Sequence, residues 1–136
     1  MADSFTVRVN NKSFTIKRTK FSRKFNNFFT EIKKKQKNNR IDTKDPELNI
    51  AISKVFKALK EYSEGKISAK QIVAKNDMFD LCFAVKWERL YNPEILKYTI
   101  QTIKRQISES NYEKIVKISK KLKIQELKDA YKQFKE

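Results

Sequence analysis

The spacing of apolar residues changes once along this chain, and that change limits the fold more than any other feature. Phe5-Thr-Val-Arg-Val9 and Phe14-Thr-Ile-Lys-Arg18 alternate apolar and polar residues with a period of two. Asn-Asn-Lys-Ser lies between them, and Asn tolerates positive φ almost as Gly does. This pattern predicts a β-hairpin with Phe5, Val7, Val9, Phe14 and Ile16 facing a core and Thr6, Arg8, Thr15 and Lys17 facing out. From Phe21 onward the period is helical. Phe21, Phe25, Phe28, Phe29 and Ile32 recur at i, i+4, i+7, i+8 and i+11 and predict one helical face. A two-stranded hairpin is marginal alone, so its inner face must dock on those helices.

Residues 33–45 are nearly devoid of apolar side chains and read as a basic loop. Asp45-Pro46-Glu47 then has the form of a helix start: cap, Pro at the first helical position and an acid in the first turn. Leu48, Ala51, Ile52, Val55, Phe56, Leu59 and Tyr62 form the stripe of that helix. Gly65, the only Gly, stands where a left-handed cap is wanted. Ser68 and Gln71 make a capping box, with Ile67 and Ile72 as a hydrophobic staple. Asn76 or Asp77 caps the next segment, residues 78–91. Its first half is apolar nearly all round, which places it at the centre of the core. Asn92-Pro93-Glu94 opens a further helix with Leu96, Ile100, Ile103 and Ile107 inward. Ser110 and Glu113 form a second capping box, and the last segment is one helix or two with a break near Lys123. The expected fold is mainly α: a single domain over residues 1–136, with a hairpin over 1–20 and a bundle of five or six helices over 21–136.

Composition excludes much ordinary chemistry. The chain has no His and one Cys. A Ser-His-Asp triad, a His general base and an intrachain Cys/His zinc site are therefore impossible. There is neither a G-x-x-x-x-G-K-[ST] nor a G-x-G-x-x-G sequence. Asp77 and Asp80, at i, i+3 with Glu88 beyond, could in principle hold a metal, but Asp77 is more simply a helix cap. We expect no enzyme, no cofactor and no metal. No stretch is long and apolar enough for a membrane span, and the N-terminus lacks an apolar signal core, so the expected location is cytoplasmic. Oligomeric state is open.

The net charge is +16, and it is unevenly spread. Residues 1–41 hold 12 Lys/Arg against 2 Asp/Glu, residues 42–95 hold 9 against 9, and residues 96–136 hold 11 against 5. Lys enrichment from genome composition would raise all three alike, so a patterned basic surface is expected. Its candidate residues are Arg8, Lys12, Lys17, Arg18, Lys20, Arg23, Lys24, Lys33, Lys34, Lys35, Lys37 and Arg40. Such a surface suits nucleic acid or another polyanion, through phosphate contacts that ignore base sequence. The alternative is a solvated edge whose lysines discourage aggregation. C-terminal Lys faces could extend the surface. The N-terminal Phe rings fall on core faces and are not stacking platforms. Trp87 and Tyr91, at the more polar end of their segment, are candidates for a protein-partner interface.

Two resemblances bear on function. "IVKISKKLKIQELKDAYKQF" resembles the bihelical unit of helix-turn-helix proteins, with Ser119 at a small-residue position and Leu122 and Ile124 flanking the turn, although Lys123 stands where Gly is usual. An amphipathic core helix with a Lys face accounts for the same residues. "FTVRVNNKSFTIKR" followed by "SRKFNNFFTEI" looks like the start of tail assembly chaperones of long-tailed phages, with Asn11 in place of the turn Gly. That resemblance implies a non-catalytic adaptor binding tail tube or tape-measure protein, in a host cytoplasm.

Overall fold

A computed structural model of the protein describes residues 4–29, 40–41 and 43–136. Strands β1 (Ser4–Val9) and β2 (Lys12–Lys17) pair antiparallel, Val9 opposite Lys12 and Ser4 opposite Lys17. The turn is tighter than the sequence suggests. It is Asn10-Asn11 alone, and Asn10, not Asn11, takes the positive φ of 55°. Val7, Val9 and Ile16 are buried, and Phe5 and Phe14 pack against the same core. Residues assigned to the basic loop supply a third strand, β3 (Arg40–Ile41), parallel to β1 in the order β2-β1-β3. Two residues carry no readable period, and only β1 and the pocket for Ile41 make them a strand.

Helix α1 (Arg18–Lys24) follows β2 directly. The helix expected from Phe21 is not continuous, and Phe28-Phe29 are helical again after the break. Helix α1 stops at Phe25, whose backbone (φ −130°, ψ 76°) leaves the helical region, and Asn26-Asn27 turn the chain. Helical spacing of the rings is satisfied instead by a broken path that drives all of them inward. Phe21 lies 4.7 Å from both Phe25 and Phe28 between ring centroids and 5.7 Å from Phe56, with Phe21, Phe25 and Phe28 fully buried. Phe5 meets Phe29 edge-on at 5.1 Å, and Phe14 meets Phe56 at 5.0 Å. Rings thus rivet the sheet and α1 to the next helix. Ile32 lies outside the described residues.

Helix α2 (Pro46–Ser63) is that next helix, and its entire expected stripe is buried. Asp45 caps it by accepting from the backbone N–H groups of Glu47 (3.0 Å) and Leu48 (3.4 Å). At its end Gly65 (φ 79°) closes a Schellman turn: Gly65 N–H donates to Tyr62 C=O and Lys66 N–H to Glu61 C=O. Helix α3 (Ala69–Lys75) has the Ser68/Gln71 capping box in both directions. Helix α4 (Met78–Lys86), capped by Asp77, packs against α2 and α5 (Pro93–Arg105) and buries six consecutive or near-consecutive residues. It is shorter than expected. Trp87 is extended, and Glu88–Leu90 form a single 3-10 turn.

Asn92 caps α5 through Ile95 N–H at 2.9 Å, and its amide does more. Its Nδ2 donates to Lys24 C=O at 3.1 Å and reaches Tyr62 Oη at 3.5 Å, so one buried side chain ties α1, α2 and α5. Helices α6 (Tyr112–Leu122) and α7 (Gln125–Lys135) are separate, broken at Lys123 in the left-handed region (φ 57°). The second capping box does not form. Asn111 occupies the cap position, and Ser110 pairs with Ser108. Asn111 instead braces its own loop, donating to Gln106 C=O and accepting from Ser108 N–H. Among the described residues the fold is mainly α, with seven α-helices, one more than the most expected, and a small N-terminal sheet. One hydrophobic cluster runs from β1 to Tyr131. No helix there is long and apolar enough to cross a membrane.

Candidate nucleic-acid interface

The side of the sheet turned away from α2 is polar throughout. Strand alternation places Ser4, Thr6 and Arg8 of β1 opposite the inward Phe5, Val7 and Val9. The register sets Lys17 beside Ser4, Thr15 beside Thr6, and Ser13 beside Arg8. The parallel pairing adds Arg40 beside Arg8 on its other flank. All seven of these residues are exposed. They form three rungs: Ser4–Lys17, Thr6–Thr15 and Ser13–Arg8–Arg40. Arg8 and Arg40, thirty-two positions apart, become neighbours only because β3 exists. Lys12 pairs with Val9 and so belongs to the other side of the sheet, exposed at the hairpin end.

Helix α1 continues the charge. Lys20, Arg23 and Lys24 are exposed and Arg18 is half-buried. Two of these cations also pack on rings, Arg18 over Phe29 at 5.2 Å and Lys24 over Tyr62 at 5.0 Å, which fixes their heads close to the surface. Residues 4–29 and 40–41 hold eight cations and no acid. Among the described residues none of the eight is ion-paired. Lys33, Lys34, Lys35 and Lys37 lie outside the described residues.

Three of the C-terminal lysines, Lys117, Lys121 and Lys135, behave differently. Lys121 Nζ lies 3.0 Å from Asp45 and 3.1 Å from Glu47, and Lys117 lies 3.5 Å from Glu47. These contacts join the end of α6 to the start of α2. The hydrogen bond from Lys121 holds the Glu47 carboxyl below its ordinary range. Asp45 feels partial burial pushing its carboxyl up, but Lys121 and the capped N–H groups outweigh that and leave it lowered. Hydrogen bonds to both acids raise Lys121. Lys135 pairs with Glu109 at 3.3 Å. The exposed side of α7 interleaves lysines with Glu126, Asp129 and Glu136. Ser119 is buried at the α6–α7 joint as expected of a bihelical unit, yet the face its second helix would offer a phosphate is mixed in sign.

Trp87 and Tyr91 separate. Trp87 is half-buried against the core with Arg89 over its ring at 5.5 Å, whereas Tyr91 is 43% exposed. Tyr91 borders a shallow groove of about 350 Å³ with Pro93, Leu96, Ile100 and Glu126. A second groove, about 800 Å³, runs between α3 and α5 past Lys70, Lys97 and Arg105. Asp77 also borders it, but its carboxylate is committed to the N–H groups of Phe79 (2.9 Å) and Asp80 (3.0 Å). Burial, then the Asp77 charge, raises the Asp80 carboxyl. Among the described residues no three His, Cys, Asp or Glu side chains gather as a metal site. Cys82 is fully buried, and burial pushes its thiol up to about 12.

No protein-family model matches the chain, and no curated protein or solved structure matches it significantly.

The cations in this N-terminal group were readable from the sequence as a basic run. Their arrangement was not, because the rungs depend on strand register and on β3. The hydroxyls of Ser4 and Ser13 went unread, and alternation from Thr6 and Arg8 would have found both.

Proposed function

We propose that this protein binds nucleic acid, or a polyanion of similar charge density, through the outer face of its sheet and helix α1. One observation carries the reading: seven cations, Arg8, Lys17, Arg18, Lys20, Arg23, Lys24 and Arg40, lie on the outer sheet face and α1, and none has an ion pair among the described residues. Leaving like charges together unpaired costs self-repulsion, which a bound polyanion relieves while releasing its counterions. Ser and Thr hydroxyls between the cations add neutral donors for phosphate oxygens. Contact is to the backbone, with little base readout and no catalysis. The C-terminal lysines contribute less, since Lys117 and Lys121 already serve acids of α2. Retention on heparin or immobilised DNA should fall steeply from low to moderate salt. Replacing Arg8, Lys20, Arg23 and Arg40 together by Gln should abolish most of it and leave thermal stability nearly unchanged. Retention that ignores salt, or survives the fourfold variant, would refute the proposal.

The exposed Tyr91 beside its shallow, mixed polar and apolar groove favours a second reading, a protein–protein adaptor, of which a phage tail assembly chaperone is the most specific form. It requires salt-tolerant association that Tyr91→Ala removes.

A further inference from the structure

The outer face of the sheet follows one sugar–phosphate strand of a duplex, we infer, rather than the bases of a single strand; this rests on the nucleic-acid reading above. Proteins that hold single strands on an open sheet stack bases on outward rings. Here the outward positions are Ser4, Thr6, Arg8, Ser13, Thr15, Lys17 and Arg40, without one ring. The six Phe rings of this region point the other way: four are buried and Phe5 and Phe14 pack against the core. Nothing on the face repays the cost of unstacking a base. A duplex pays no such cost, because its bases stay paired and only the backbone is offered.

The spacing of the rungs fits a sugar–phosphate strand, while the absence of rings is what favours a paired one. Successive rungs are two residues apart along the strands, about 6.8 Å. That is comparable with the separation of successive phosphates on one strand. Each rung presents donors across two or three strands about 4.8 Å apart. Lys17 heads the first rung, Thr6 and Thr15 the second, Arg8 and Arg40 the third. A backbone lying along β1 therefore meets a cation, a pair of hydroxyls and a pair of guanidiniums in turn. The arginines can grip one phosphate from two sides with forked donors.

The test is a binding titration, over a range of salt, with a short duplex and with each of its separated strands, in DNA and RNA versions. Duplex should bind more tightly than either strand, with no dependence on base composition. Arg8→Gln should reduce the slope of log K against log salt by about 0.9, and the triple change at Arg8, Lys17 and Arg40 by two to three times that. A charge-matched triple change at Lys97, Lys104 and Arg105 on α5 controls for loss of net charge and should alter the slope by less than the single Arg8 change. Tighter binding to a single strand or a preference for base type would overturn the duplex assignment while leaving nucleic-acid binding intact, and an equal effect from the α5 control would overturn the sheet face as the site. Absence of binding to every probe at low salt would instead refute the parent reading, and this one with it.

Discussion

The sheet with α1 and the α6–α7 pair are both lysine-rich, yet they spend their charge in opposite ways. In the first region stability comes from within: a stack of Phe rings joins β1, β2, α1 and α2, and among the described residues its cations form no ion pair. In the second, cations are part of the joinery. Lys121 clasps Asp45 and Glu47, and Lys117 reaches Glu47, across seventy or more residues, and Lys135 packs over Tyr112 at 4.5 Å while reaching Glu109. Sign and number of charges therefore say little about availability. What matters is whether a carboxylate has been placed within reach.

That contrast can be broken from the inside first. Phe21→Ala removes the ring at the middle of the stack and should cost about 3–5 kcal/mol in urea unfolding. If it costs under about 1 kcal/mol, the rings do not hold the basic region up. Asn92→Ala strips the amide that binds Lys24 C=O and caps α5, and should cost about 2 kcal/mol. A loss confined to α5, with α1 amide exchange unchanged, would show that the cross-link to α1 is idle. Lys123→Gly relieves a left-handed Lys at the α6–α7 joint and should stabilise by about 1 kcal/mol; a destabilised variant would mean that the Lys side chain is needed there.

The smallest effect sharpens the comparison most. Lys121→Gln should lower Tm by about 2 °C at neutral pH, because its partners are largely solvated. Asp45 and Glu47 have lowered folded pKa values, so their share of stability is present above the ordinary carboxylate range and disappears as pH falls through those lowered values. The Tm gap between wild type and variant should accordingly close as pH falls below the ordinary carboxylate range and through those lowered values. A gap that persists in acid would assign the effect to lost packing over Phe83. Gln replacements at Lys20 and Arg23 should show no such gap at any pH.

Much of the fold was legible locally. Asp45-Pro46, Ser68 with Gln71, Asp77 and Asn92-Pro93 each begin a helix where their cap chemistry says so, since capping involves only neighbours in sequence. The misreadings are cases where a contact outside the cap and period rules decided. The helix after Phe21 breaks at Phe25, and Phe28 still reaches the Phe21 ring across the break. Trp87 leaves the helix of α4, and the Glu88 carbonyl there is held by Asn27 from sixty-one residues away. At residue 110 a correct cap pattern lost to Asn111, which bonds back to Gln106. For the binding surface, composition disclosed which cations were present. It could not show that Arg8 and Arg40 would meet, or that Lys121 would be taken by an acid.

The burial of Cys82 has a practical corollary. A chain whose single sulfhydryl is buried in α4, where burial also raises the thiol, should react only slowly with maleimides and disulfides while folded. A cysteine introduced at Thr6 or Ser13 would then be the faster-reacting handle, so a fluorophore or spin label could be mounted on the exposed side of the sheet without first deleting the native thiol.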